Sequence, residues 1–347
     1  MNARLVTHPP HMRRICLMVL LACFWASPYA PSYAQGAPPC ENRFGSPFVP
    51  NLCPEYVLET FPTAGELAAI SSLAFTPDGA LYFTSPSQRA LYRLPPDGRG
   101  FFGAPQRVAT LPEAPFGLAY AADEDAFYLS TMQSVFHLSA DGSYRQLYND
   151  PEALWHGELK ISTEGRLYTT RHRREGAALI SMARDGGNLR VEADGLHEAF
   201  SFTWQAGRLL IADSLPPPLP SALYAVHGGE LVRLADLPPE STPRGMVAYD
   251  AEALSAWRGG VLLALGGSWN APVISGYSVR LHHFTNEGGL HSVQQVIPNY
   301  YNFGEPEAAL LRASFHPYRL MGIAVSAEGW LYTALAEGRI YRFRPRP

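Results

Sequence analysis

The chain has 347 residues, of which only 17% are charged, and it contains 30 Gly and 31 Pro. Abundant Gly and Pro with few charges are typical of many short strands joined by tight turns. The net charge is −4, and no part of the sequence forms a basic stripe, which argues against a nucleic-acid-binding surface.

The N-terminus, residues 1–34, predicts an export signal. Two arginines precede an apolar stretch, residues 15–26, that is too short to span a bilayer. Small residues then provide a cleavage site, so the mature chain is expected to begin at Gln35, in the periplasm or outside the cell. Lipidation at Cys23 is the alternative interpretation. No later segment has 18 apolar residues in a row, so we expect no membrane span.

Residues 35–55 form a predicted N-terminal arm. This arm holds Cys40 and Cys53, the two cysteines that remain once the signal is removed. Two nearby cysteines in an exported protein usually pair, and a disulfide here would pin the arm and contribute ~2–3 kcal/mol. A metal site is the poorer interpretation, because no other thiol remains.

A repeat runs from residue 56 to residue 347. Each copy has an apolar-alternating run, a turn and further runs that often end in aromatic residues. The apolar anchors of the first runs are Leu73, Leu118, Leu159, Phe202, Met246 and Ile323. They are 45, 41, 43, 44 and 77 residues apart. A period of about 40–45 residues with this strand content is typical of β-propeller blades.

The number of runs indicates how the ring closes. The first five copies each supply four runs, whereas the last supplies only three, and residues 56–61 provide the missing strand. We therefore predict an all-β fold: a six-bladed β-propeller closed by an N-terminal strand that completes the C-terminal blade. The long last gap contains residues 298–319, an irregular segment of the kind that is either functional or disordered.

The innermost strands of a propeller line its central channel, and the residues just before them surround the channel mouth. Candidate site residues are therefore the polar side chains that shortly precede each anchor. They are Glu113, His156, His197, Glu198, Arg244 and Arg319. Asp213, at the end of a strand-like run, is either a metal ligand or a turn cap. With Glu113 it offers hard oxygen ligands suited to Ca²⁺.

Two stretches carry a family resemblance. Residues 258–270 read Arg-Gly-Gly-Val-Leu-Leu-Ala-Leu-Gly-Gly-Ser-Trp-Asn, and residues 276–280 read Gly-Tyr-Ser-Val-Arg. They resemble the fifth-blade signature of the sorbosone dehydrogenase-like propellers, which are relatives of the soluble sugar dehydrogenases that use pyrroloquinoline quinone (PQQ). The similarity extends weakly over all six blades and includes Trp155-His156-Gly157 in the third.

The resemblance implies oxidation of a sugar hydroxyl or hydrated aldehyde by hydride transfer to PQQ, with Ca²⁺ holding the cofactor and a redox acceptor protein as a further partner. His156 would act as the general base. The residues that the resemblance and the mouth position assign to cofactor binding are His197, Glu198, Arg244, Arg319, Trp269 and Asn270.

The chain also departs from that family. Residues 195–199 read Gly-Leu-His-Glu-Ala where the family has Gly-x-Arg-Asn-Pro, so a carboxylate replaces an amide near an anionic cofactor. Arg244 and Arg319 are positioned to compensate. Two other functions stay open. One is a Ca²⁺-dependent lactonase-type hydrolase that uses Glu113, Glu198 and Asp213, and the other is a non-catalytic binding propeller.

Overall fold

The computed structural model describes residues 56–62, 69–268, 276–297, 319–336 and 338–345, with only the backbone given for 56–62 and 297. Several predictions fall outside these residues. They are the export signal, the Cys40–Cys53 disulfide, Trp269 and Asn270 of the cofactor assignment, and residues 298–318 of the insertion. In the described part of the chain, no helix is long and apolar enough to cross a membrane.

The described strands form six four-stranded antiparallel sheets, which are the blades. Blade 1 contains β2 (Leu73–Phe75), β3 (Leu81–Ser85), β4 (Ala90–Leu94) and β5 (Gln106–Thr110). Blade 2 contains β6 (Gly117–Ala121), β7 (Ala126–Ser130), β8 (Ser134–Ser139) and β9 (Tyr144–Asn149). Blade 3 contains β10 (Trp155–Ile161), β11 (Leu167–Arg173), β12 (Gly176–Met182) and β13 (Arg190–Leu196).

The other three blades follow the same order, with the first strand innermost. Blade 4 contains β14 (Ala199–Gln205), β15 (Arg208–Asp213), β16 (Ala222–His227) and β17 (Glu230–Asp236). Blade 5 contains β18 (Pro243–Tyr249), a 3₁₀ turn (Ser255–Trp257), β19 (Gly260–Leu265), β20 (Ser278–Phe284) and β21 (Leu290–Ile297). Blade 6 contains β22 (Leu320–Val325), β23 (Leu331–Leu335), β24 (Arg339–Pro345) and, as its outermost strand, β1 (Tyr56–Pro62).

Strand β1 closes the ring. It pairs antiparallel with β24, from Tyr56 opposite Pro345 to Pro62 opposite Arg339. This pairing covers the edge of β24, which would otherwise present unpaired N–H and C=O groups. The predicted six-bladed propeller, closed by its N-terminal strand, is confirmed.

The hydrophobic core lies between neighbouring blades. A single sheet cannot bury its own apolar residues. One face of each blade therefore packs against the preceding blade, and the other face packs against the following one. At the joint between blades 5 and 6, Trp257 is fully buried. Its ring centroid lies 5.6 Å from that of Tyr249 and 6.1 Å from that of Phe343 in the last blade. Apolar contacts therefore help to hold the closing blade in place.

The innermost strands approach each other closely. A Cβ atom on Gly157 of β10 would lie 2.8 Å from the carbonyl oxygen of Phe200 in the next blade. On Gly245 of β18 it would lie 2.9 Å from the carbonyl oxygen of Met321. Any larger residue would push neighbouring blades apart at these positions, so glycine sets the spacing of the strands around the channel.

Candidate functional site

The channel mouth is shaped by β-bulges. The register shifts near the start of β10, β14, β18 and β22. Each bulge sets an extra residue outside the regular pairing, and such a residue can be re-aimed away from the two faces of the blade. The extra residue is Phe200 in β14 and Arg244 in β18. Bulges are over-represented beside active sites, which makes these two residues candidates for function.

Arg244 and Phe200 contact each other across the joint between blades 4 and 5. The guanidinium carbon of Arg244 lies 4.4 Å from the centroid of the Phe200 ring, a cation–π distance. Its Nη2 atom lies 3.9 Å from Oε1 of Glu198. Among the described residues, no hydrogen bond to the Arg244 guanidinium is found. The group is therefore held in place by an aromatic face while its N–H donors stay available to an anion.

His156 lies at the start of β10 and is fully buried. Its Nδ1 atom is 3.2 Å from the carbonyl oxygen of Met132. Because a carbonyl only accepts, Nδ1 carries the proton and Nε2 carries the lone pair. Nε2 is buried and has no partner among the described residues. Burial lowers the pKa of His156 to about 4, so the ring is neutral at neutral pH.

An acidic and basic network lies beside His156. Arg171 is its register partner on β11. Asp150 is almost fully buried, with its Oδ2 atom 2.8 Å from Nη2 of Arg173 and 3.7 Å from Nη1 of Arg171. Burial alone would raise the pKa of Asp150, but the two guanidinium groups hold it below its usual value. This network fixes charged groups near a ring that itself stays neutral.

His172 is a second buried imidazole at the mouth, and the spacing of the repeats did not reveal it. Its Nε2 atom donates to the carbonyl oxygen of Ala199 over 2.5 Å and so connects blades 3 and 4. Its ring stacks on Trp155 with centroids 4.8 Å apart and lies 6.2 Å from the Phe200 centroid. Burial lowers the pKa of His172 to about 3. Trp155, His172 and Phe200 thus link the neighbourhood of His156 to that of Arg244.

Arg319 holds a backbone segment. Its guanidinium donates to the carbonyl oxygens of Gly266, Gly267 and Ser268 over 3.3, 3.1 and 2.9 Å. It also lies 5.3 Å from the ring centroid of Tyr277. This segment leads directly into Trp269 and Asn270. Arg319 therefore fixes residues 266–268 of the fifth-blade signature.

Asp213 accepts two backbone hydrogen bonds at the end of β15. Its carboxylate oxygens are 3.0 Å from the N–H nitrogen of His197 and 2.7 Å from that of Glu198. Burial raises the pKa of Asp213 above its ordinary value, although these N–H groups act in the opposite direction. His197 is exposed, and its Nδ1 atom donates to the carbonyl oxygen of Ser214 over 2.7 Å. The contacts of Asp213 are those of a turn cap.

Glu113 has its hydrogen bonds within blade 2. It accepts from the Thr131 and Ser134 hydroxyl groups and from the N–H of Gln133, at 2.6, 2.7 and 2.9 Å. Burial would raise the pKa of Glu113, but these donors bring it below the usual value. Glu113 and Asp213 thus bind protein donors in different blades. In the described part of the chain, no three His, Cys, Asp or Glu side chains are grouped to hold a metal ion, and the metal assignment stays a prediction.

The buried neutral histidines predict a pH-dependent stability. Burial also lowers the pKa of His282, on β20, to about 3. The unfolded chain binds a proton near pH 6.5 at each such residue, whereas the folded chain does so only near pH 3–4, so stability falls as the pH drops through this window. Each histidine adds a slope of up to about 1.4 kcal/mol per pH unit. Urea unfolding of the His282→Gln variant between pH 7.5 and 5 should show a shallower decline.

The matched control for this experiment is His227→Gln, because His227 is exposed at the end of β16. It should keep the slope of the unmodified protein. Equal slopes for both variants and the unmodified protein would contradict the role of buried histidine.

The fold and the mouth together define a class of protein, a six-bladed propeller with a buried neutral histidine and a stacked arginine near one end of its channel. Solved structures of this architecture include the holo PQQ domain of pyranose dehydrogenase from Coprinopsis cinerea. It has a TM-score of 0.67 and 14% identity, with 90% of this chain and 99% of that one covered. PQQ-bound aldose sugar dehydrogenase from Streptomyces coelicolor has a TM-score of 0.63 and 14% identity, covering 86% and 100%.

A protein named for a different activity shares the architecture. Streptogramin B lyase gives a TM-score of 0.54 at 14% identity, with 84% of this chain and 98% of the lyase covered. At such identities the similarity shows the fold alone. The family model for the N-terminal part of strictosidine synthase-like proteins matches residues 322–343, within blade 6. A search of curated proteins gives no match.

Proposed function

We propose that this protein is an exported, PQQ-dependent dehydrogenase of a sugar or aldehyde. The observation that carries the proposal is the state of His156: Nδ1 donates to a backbone carbonyl, and Nε2 is buried, unprotonated and without a partner among the residues that the structure describes. A general base needs this state, because its lone pair must be free to take a proton from a substrate hydroxyl. The predicted N-terminal signal supports export.

The fit of the cofactor rests on Arg244. PQQ is an anionic tricarboxylate that accepts a hydride when bound. The Arg244 guanidinium is positioned by the Phe200 ring, and within the described part of the chain its one ion pair is that with Glu198 at 3.9 Å. It therefore has donors for a carboxylate or for a quinone oxygen on which negative charge develops. A hydrogen bond from Arg244 to the cofactor would offset the repulsion between the Glu198 carboxylate and the cofactor carboxylates.

The remaining mouth residues position these two groups. His172 fixes the orientation of Trp155 through stacking, and Trp155 directly precedes His156. Arg319 fixes the segment that leads to Trp269 and Asn270. His156 accepts the hydroxyl proton at Nε2, and its Nδ1–H bond to Met132 stabilises the imidazolium that forms. Glu113 and Asp213 do not fit a Ca²⁺ ion in this arrangement, since their carboxylate oxygens already accept protein hydrogen bonds.

Replacing Arg244 by Met is expected to weaken PQQ binding. Met keeps apolar contact with Phe200 but removes the positive charge, and a charge-assisted hydrogen bond is worth about 1.5–3 kcal/mol, so affinity should fall roughly 10- to 100-fold. The measurement is a titration of the purified protein with PQQ, followed by its absorbance. Arg233→Met is the control, because Arg233 lies on β17, the outermost strand of blade 4, where it pairs with Asp236 and donates to the carbonyl oxygen of Pro220. Equal weakening in both variants would contradict a role for Arg244.

The test of the proposed function combines binding with turnover. The purified mature chain is titrated with PQQ, with and without Ca²⁺, and the loaded protein is assayed for dye reduction over a panel of aldoses and aldehydes. Saturable binding with substrate-dependent reduction supports the dehydrogenase. Failure to bind PQQ at micromolar concentration rejects it. Lactone hydrolysis abolished by EDTA would then indicate the hydrolase, and the absence of both activities would indicate a binding propeller.

A further inference from the structure

A cavity lies on the propeller axis. Its volume is about 360 Å³, and its lining includes residues from the innermost strand of every blade. One lining residue from each blade is Leu73, Tyr120, Lys160, Trp204, Ala248 and Ile323. None of these belongs to the mouth described above.

The cavity is at the other end of the channel from the mouth. On β18, Arg244 stands near the start of the strand and Ala248 near its end. Four residues of strand span roughly 13 Å at about 3.3 Å per residue. The same order holds on β10, where His156 precedes Lys160. A molecule in this cavity therefore contacts different residues from one at the mouth.

A partly buried ion pair supplies the polar groups of the cavity. Nζ of Lys160 is 2.9 Å from Oε1 of Glu158, and it donates to the carbonyl oxygen of Met246 at 2.9 Å. Oε2 of Glu158 accepts from the N–H of Phe202 at 3.1 Å. An ammonium group has three N–H donors, and two have partners among the described residues. One donor is left for a ligand.

The walls of the cavity also include the hydroxyl-bearing Ser72 and Thr203, together with apolar and aromatic side chains. Trp204 is half-buried, and its ring is held edge-on by Tyr168 and Phe202, with centroid distances of 5.0 and 5.7 Å. Leu73 and Ile323 add aliphatic surface. The cavity thus combines a fixed indole, aliphatic surface, two hydroxyl groups, one free donor and carboxylate lone pairs on a pair that carries no net charge.

These features select for an uncharged ligand. The charges of Glu158 and Lys160 neutralise each other at 2.9 Å. A charged ligand would therefore lose its hydration without gaining a full counter-charge. Hydroxyl groups both donate and accept, so they match the free N–H of Lys160 and the lone pairs of Glu158. A volume of 360 Å³ is at the small end of ligand pockets.

We propose that this axial cavity binds an uncharged, hydroxyl-bearing molecule of about monosaccharide size, independently of the chemistry at the mouth. Its C–H surfaces pack against Trp204 and the aliphatic walls, and its hydroxyl groups bond to the Glu158–Lys160 pair. Because this binding does not depend on PQQ, its test is independent of the test of the proposed function.

The test uses myo-inositol and methyl α-D-glucoside as neutral probes, with glucuronate and methyl 6-amino-6-deoxy-α-D-glucoside as charged probes of similar size. Titrations of the full mature chain, free of PQQ, are followed by saturation-transfer NMR at pH 7.5. The neutral probes should saturate and bind at least tenfold more tightly than the charged ones. Absence of saturable binding by both neutral probes overturns the proposal, as does tighter binding of a charged probe.

Variants locate the binding. Ala248→Phe fills the cavity, and the double variant Glu158→Gln with Lys160→Met removes the ion pair without leaving a buried charge. Each should weaken neutral-probe binding at least tenfold while the circular dichroism spectrum is unchanged. If one variant does not fold, the other decides. Arg244→Met at the mouth should keep the affinity. Loss of binding in Arg244→Met, or full binding in the folded cavity variants, overturns the assignment.

Discussion

Replacing His156 by Gln should lower kcat for sugar or aldehyde oxidation by roughly 10²- to 10⁴-fold, the contribution typical of a general base. Gln fills similar space and can bond the Met132 carbonyl through its amide, but it has no basic nitrogen. Because the substitution removes proton transfer and leaves Arg244 intact, the affinity for PQQ should change little. Steady-state dye reduction with saturating PQQ gives kcat, and a separate absorbance titration gives the affinity.

The pH profile separates a catalytic from a structural role of His156. In the unmodified protein, activity should decline at low pH as Nε2 is protonated, around the pKa of about 4. The residual activity of His156→Gln should lack this decline. His227→Gln, altered at an exposed site, serves as the control and should match the unmodified protein. An unchanged kcat in the His156 variant would remove the general-base assignment.

Replacing Trp257 by Ala should lower the free energy of unfolding by about 3–5 kcal/mol, the cost typical of deleting a buried Trp side chain. Trp257 is fully buried between Tyr249 and Phe343. Its loss leaves a cavity where blade 5 supports the blade that closes the ring. Urea unfolding followed by circular dichroism measures the change.

The control for Trp257 is Phe101→Ala. This change also truncates an aromatic side chain, but Phe101 is 48% exposed. Surface substitutions of this kind usually change stability by less than about 1 kcal/mol. If Phe101→Ala lowered the free energy of unfolding as much as Trp257→Ala does, the size of the deleted side chain, and not its burial at the blade joint, would determine the destabilisation.

Much of the fold could be predicted from the sequence, because its signals are local. Alternation within a run gives a strand, and the run-turn-run order gives a hairpin. The spacing of anchors such as Leu118 and Leu159 then gives the blade. The last copy has only three strands, and one strand-like run is left over at the N-terminus. The sequence therefore predicts that this run completes the last blade, and the pairing of Tyr56 with Pro345 confirms it.

The candidate site was less predictable. Position shortly before an anchor residue led to His156 and Arg244 as candidates, and their function stays a prediction. It gave no sign that Arg244 stacks on Phe200, or that His172 bonds to the carbonyl oxygen of Ala199. Those contacts join residues from different blades. An aromatic residue in an apolar strand, or a histidine at a strand end, has the same sequence pattern whether it packs in the core or faces the channel.

The sequence by itself thus determined the ring, since repeated local patterns each specify one blade and the number of copies specifies six. Only the tertiary structure decided the use of the polar residues. The β-bulges at the starts of β14 and β18 bring Phe200 and Arg244 into contact. Hydrogen bonds tie Asp213 and Arg319 to backbone groups instead. The physical reason is that the contacts of Phe200, Arg244 and Arg319 depend on packing between blades, which no single copy of the repeat encodes.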